Sequence, residues 1–207
     1  MLVTGQLHFS SNSRAGNMSG VQFTIRKKPS TIFGAKFHIY NAEDKLLGFC
    51  KQKAFKLKED IRIYTDETMT EERLVITARK AIDFSSAYDI VDSKSGTKVG
   101  ALKRKGLKSI LRDSWLVMDE NDNDIGSLTE DSAAMAMVRR FLPLGNLIPQ
   151  KYHLKQDSGA ELAEFRTHFN PFVHKMSVNV YPECELDPML VLAAGILLVA
   201  IEGRQTG

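Results

Sequence analysis

The chain has 207 residues, 43% hydrophobic and 26% charged, with 28 basic against 25 acidic side chains. That balance suits one soluble globular domain and excludes collagen, coiled coil, disulfide scaffold and multispanning membrane protein. Cys50 and Cys184 form neither a disulfide framework nor a zinc spacing, and a net charge of +3 gives no reason to expect nucleic acid as a partner.

Residues 1–20 are rich in Ser, Asn and Gly and read as a flexible tail or a long first loop, without a secretory leader. Residues 21–207 read as a single domain. From Val21 the apolar positions alternate with period two, the signature of half-buried strands. Val21–Arg26 is the first, ended by Pro29. Phe37–Tyr40 and Leu46–Cys50 flank a polar turn, and Ile61–Tyr64 and Leu74–Thr77 make a second hairpin.

The same order then recurs. Tyr88–Val91 and Val99–Lys103 meet at Ser95-Gly96, followed by Ser114–Met118 and Ile125–Leu128. Gly48 and Gly100 coincide at a spacing of 52, as do Lys51-Gln52-Lys53 and Lys103-Arg104-Lys105. A fainter third copy runs through Tyr152–Leu154, Leu162–Arg166 and Lys175–Val180. Repeats on this scale mean stacked or closed copies of one supersecondary unit. The count is twelve short antiparallel strands, which close into a barrel or split into two sheets.

Two segments break the alternation. Asp131-Ser132 followed by 133–141 predicts a short surface helix stopped by Pro143. Asp187-Pro188 followed by thirteen apolar residues, Met189–Ile201, predicts a second helix with sound start chemistry. Thirteen residues rise roughly 20 Å, short of the ~30 Å of a bilayer core. A helix apolar all round has to be buried, and a twelve-strand barrel has an interior its wall cannot fill. The expected fold is therefore mainly β: a closed antiparallel barrel around a central hydrophobic helix at about 188–202.

Tyr88–Asp92, Val99–Arg104, Lys108-Ser109, Asp113-Ser114-Trp115, Ile125-Gly126 with Glu130-Asp131, Asn170-Pro171-Phe172 and the apolar segment ending Ile201-Glu202 carry a resemblance. From about Phe37 to Glu202 the chain resembles the Tubby-like, LURP-one-related and phospholipid scramblase superfamily. What the resemblance implies is a twelve-stranded barrel around a hydrophobic helix, in a group that includes phosphoinositide-binding and lipid-scrambling proteins. Lacking a proline-rich extension and a cysteine cluster, the chain is similar to the compact LURP-one-like or bacterial branch. The family's calcium segment would fall near Glu183, Glu185 and Asp187, where Asp187 already serves as helix cap.

Between Ser93 and Arg112 stand seven basic residues and no acidic one. Lys103, Arg104, Lys105, Lys108 and Arg112, with Lys51 and Lys53 at the equivalent place of the first unit, are the candidate ligand- or lipid-binding residues. Clustered cations attract anionic headgroups, yet strand positions beside turns also carry charge simply to stay solvated. Barrel closure is expected to bring the two basic sets near each other. Asp119, Asn121, Asn123 and Glu130 space oxygens like a calcium loop, but Asp124 stands where that loop needs glycine, so a polar hairpin turn fits better. His38, Asp89 and His153 share a repeat slot expected to face out. No metal spacing, catalytic triad, P-loop or dinucleotide fingerprint is present in the sequence. The expectation is a non-enzymatic, cofactor-free binding or scaffold module, monomeric and cytoplasmic, peripheral at the membrane, touching anionic phospholipid headgroups or a phosphorylated ligand. The alternative is scramblase-type lipid movement with the C-terminal helix inserted in the bilayer.

Overall fold

A computed structural model describes residues 22–30, 34–52, 60–79, 87–105, 114–131, 149–168 and 173–201. Among them twelve strands and one helix are formed: β1 Gln22–Ser30, β2 Gly34–Asn41, β3 Leu46–Gln52, β4 Ile61–Tyr64, β5 Glu72–Ala78, β6 Ala87–Asp92, β7 Lys98–Arg104, β8 Ser114–Met118, β9 Asp124–Glu130, β10 Lys151–Gln156, β11 Glu161–His168, β12 His174–Val180 and α1 Pro188–Ile201. Each strand pairs antiparallel with its sequence neighbours, and β1 pairs with β12 to close the barrel. The expected short helix at 132–141, the tail at 1–20 and Asn170-Pro171-Phe172 lie outside the described residues.

Alternation places one face of every strand inside. Ile25, Phe37 and Ile39, Leu74 and Ile76, and Met176, Val178 and Val180 are buried with more exposed residues between most of them. β1 runs on through Pro29 rather than stopping before it. Its ladder with β12 ends at Lys27, and beyond that point only β2 pairs with it. Proline has no N–H to donate, so a position with one neighbouring strand tolerates it. Pairings elsewhere run over four to eight residue pairs, but β3 and β4 meet at the single pair Phe49↔Tyr64.

α1 fills the barrel. The Met189 N–H donates to the Asp187 carboxylate at 2.7 Å, the expected cap. Eleven of its 14 residues are buried, and they join the strands' inner faces in one continuous core. Seven of the eleven are large aliphatics, which at 1.5–3 kcal/mol each amount to on the order of 10–20 kcal/mol of gross burial. Among the described residues no helix is long and apolar enough to cross a membrane.

Strand direction sorts the connections by end. The connections at 41–45, 65–71, 93–97, 119–123 and 157–160, and the lead into α1 at 181–187, all lie at one end, the turn end. The β1 and β3 C-termini, the β2 and β10 N-termini and the β7 C-terminus mark the opposite, far end.

Candidate functional site

The two ends differ sharply in charge. The turn-end connections carry twelve acidic residues: Glu43, Asp44, Asp66, Glu67, Glu71, Asp119, Glu120, Asp122, Asp157, Glu183, Glu185 and Asp187. Against them stand Lys45 and Lys94. At the far end Lys28, Lys36, Lys51 and Lys103 are exposed on β1, β2, β3 and β7, and among the described residues no acidic side chain forms a salt bridge with any of them. Among the described residues the turn-end connections are thus strongly acidic, while the far end shows these four lysines beside the exposed Asp60 and Asp131.

Of the candidate basic residues, Lys103 and Lys51 point outward at the far end. Arg104 does not share their face. It has the strand parity of Gly100 and Leu102, which face α1 and the core, and it sits opposite Trp115, buried at 1% exposure. A period-two chain turns consecutive residues to opposite sides, so the triplet 103–105 is split across the wall. Lys105 follows at the strand end, where its N–H donates to the Ser114 carbonyl at 2.8 Å. The two basic sets are not brought together either. Four strand spacings of ~4.8 Å separate β3 from β7, roughly 19 Å around the wall. Lys53, Lys108 and Arg112 lie outside the described residues.

The calcium spacing comes apart in three dimensions. Asp119 closes its own turn, accepting the Asn121 and Asn123 N–H groups at 2.9 and 2.8 Å and the Asn123 side-chain amide at 2.9 Å. Those bonds, the Asn123 amide foremost, hold its carboxyl below the usual range. Glu130 sits at the opposite end of β9, six extended residues or roughly 20 Å beyond Asp124, with its side chain buried inside the barrel. The twelfth position of a calcium loop has to curl back; a β-strand carries it away.

The histidine slot also differs from expectation. His38 has outward parity but is buried at 4% exposure. Its ring packs edge-on against Phe49 at 5.1 Å, and Nε2 lies 2.8 Å from a Glu67 carboxylate oxygen. That bond reaches from β2 across β3 to the β4–β5 connection, and it holds the Glu67 carboxyl below its usual range. In the equivalent slots Asp89 receives Arg79, and His153 Nδ1 lies 2.6 Å from Glu161. The Arg79–Asp89 pair extends into a network, because Asp122 at the β8–β9 turn engages both Arg79 and Lys98, the latter at 2.6 Å. Lys98 first and Arg79 second hold the Asp122 carboxyl down.

The thiols are core. Burial pushes Cys50 up to about 12 and raises Cys184 as well, so neither is poised as a nucleophile. Among the described residues no group of three or more His, Cys, Asp or Glu is placed to hold a metal ion.

Sequence reasoning missed Lys28 and Lys36. Lys28 ends the short basic run Arg26-Lys27-Lys28 and Lys36 stands alone in the sequence; what joins them is their register across neighbouring strands, which no one-dimensional spacing displays.

Among solved structures, the chain is similar to an X-ray structure of a protein from Arabidopsis thaliana, at 12% identity and a TM-score of 0.49, over 90% of this chain and 93% of that one. A search of curated proteins finds no match. The model of the LURP-one-related family matches residues 46–199, from β3 into the last turns of α1. The chain belongs to the LURP-one-related family.

Proposed function

We propose that the barrel is a non-enzymatic binding scaffold that turns its far end toward anionic phospholipid headgroups. One observation carries this reading: among the described residues Lys28, Lys36, Lys51 and Lys103 stand exposed and without a salt bridge at the far end, beside the exposed Asp60 and Asp131, while twelve carboxylates occupy the connections of the other. Such a charge distribution attracts a negatively charged surface at one end and repels it at the other. Lys51 and Lys103 are the outward candidates described at that end. Eleven of the fourteen residues of the helix Pro188–Ile201 are buried as core, which supports surface contact rather than insertion.

Co-sedimentation with vesicles tests the reading. The protein should pellet with phosphatidylserine-containing vesicles at low salt and stay in solution with neutral ones. Binding should fade as ionic strength passes physiological values, where exposed charges are screened beyond about 8 Å. Lys51→Glu with Lys103→Glu should abolish it while the thermal midpoint hardly moves, because exposed substitutions usually cost within ~0.5 kcal/mol. Wild-type protein that ignores anionic vesicles at low salt would end the proposal.

A further inference from the structure

Lys28, Lys36 and Lys51 form a single row across three strands. Lys28 stands directly opposite Lys36 in the β1–β2 ladder, and Lys36 directly opposite Lys51 in the β2–β3 ladder. Cross-strand partners share a face of the sheet. The parity of Arg26, His38 and Phe49, set against inward Ile25, Phe37 and Cys50, makes that face the outer one. All three lysines are exposed, and among the described residues none has a salt bridge. Neighbouring strands lie about 4.8 Å apart, so the three Cα positions fall within roughly 10 Å.

Like charges directly opposite one another destabilise a ladder, and sheets ordinarily alternate sign at such places. Here the unfavourable pair is made twice in succession. The Glu67 carboxyl, held down first by His38 and also by Lys36 and Lys28, makes its hydrogen bond to His38 and not to a lysine of the row. The wall around Lys103 looks different, since its ladder partners Ala87 and Leu116 are uncharged. Lys103 therefore has no cation opposite it in either ladder, whereas Lys28, Lys36 and Lys51 stand in a row of three.

We propose that the Lys28–Lys36–Lys51 row is a binding site for clustered phosphate groups: either the chain of a soluble oligophosphate or phosphomonoester headgroups packed side by side. Lysine is a compact point charge with rotatable donors, suited to phosphates whose spacing varies. Three of them at strand pitch favour a ligand with several adjacent phosphates over one with a single phosphate. This inference rests on the basic far end described above and gives it a ligand class.

Calorimetric titration with tripolyphosphate, with orthophosphate alongside, reads the row directly, and phosphatidic-acid vesicles read the lipid source. Wild type should bind tripolyphosphate at low salt far more tightly than orthophosphate. The triple variant Lys28→Gln, Lys36→Gln, Lys51→Gln should lose about two to three orders of magnitude in affinity, at roughly five- to tenfold per lysine. Its thermal midpoint should stay level or rise, because a repulsive row has been neutralised; a merely structural role would lower it. Lys94→Gln, in a turn-end connection, should bind as wild type does. Equal binding of tripolyphosphate by wild type and triple variant overturns the inference. If both also pellet equally with phosphatidic-acid vesicles, the far-end reading survives without it. If tripolyphosphate needs the row and vesicles are ignored, the row stands and the membrane reading falls. If wild type binds neither probe, both fall.

Discussion

A methyl group at Gly126 would sit 2.4 Å from the Lys155 carbonyl oxygen, a backbone atom that cannot turn aside. At Gly195 the same methyl would meet the tip of Ile25, its Cδ1 at 2.7 Å, and that tip can rotate away. Gly126→Ala should therefore lower stability by about 1–3 kcal/mol, the usual range for overpacking. Gly195→Ala should be nearly neutral, because a helix gains ~0.8–1.0 kcal/mol from losing glycine and this offsets the repacking. Equilibrium denaturation of both variants checks the ranking, and a costlier Gly195→Ala would contradict it. Gly195 was legible in the sequence, since a glycine amid aliphatics implies a close neighbour, here Ile25 and Phe165. Lys28 was not, because its importance comes from standing opposite Lys36, and register belongs to the folded sheet.

α1 was the most legible element. Asp187-Pro188 states where it begins, and its all-round apolarity states that nothing but a closed interior will accept it. Leu197 is 1% exposed within that interior. Leu197→Ala should cost about 2–5 kcal/mol, as large-to-small changes in cores do. Leu197→Asp should yield no cooperatively folded protein, because an unpaired buried charge has no partner there. Circular dichroism melts of the two variants decide the point, and a Leu197→Asp protein that melts cooperatively near wild type would remove α1 from the core. β9 shows the opposite case. Residues 119–130, the turn before it together with the strand, mimic a calcium loop when only spacing is counted. The alternation Gly126, Leu128, Glu130 toward the interior was the better signal, and it carries Glu130 to the other end of the strand. Pro29 misled in the same way, because a breaker in the middle of a sheet is harmless where only β2 pairs with the strand.

Across the whole molecule, closure was readable only from the repeats and α1 together: twelve antiparallel strands left a barrel or two sheets, and an all-apolar helix that needs an interior decided for the barrel. The segregation of charge was hidden by the net value of +3. It emerges only when antiparallel order sends alternate connections to opposite ends, so that residues far apart in the chain add at one surface. The same geometry kept Lys51 and Lys103 apart, since repeat-equivalent strands sit around a circumference rather than side by side. If the charge polarity directs function, the barrel meets an anionic surface end-on. Fluorophores attached at Asp60→Cys, at the far end, and at Ser158→Cys, in a turn-end connection, measure this, the buried native thiols being slow to react. On vesicles containing brominated phosphatidylserine at low salt, the Asp60→Cys label should be strongly quenched and the Ser158→Cys label should keep its solution intensity. Equal quenching of the two, or stronger quenching at Ser158→Cys, would contradict the account.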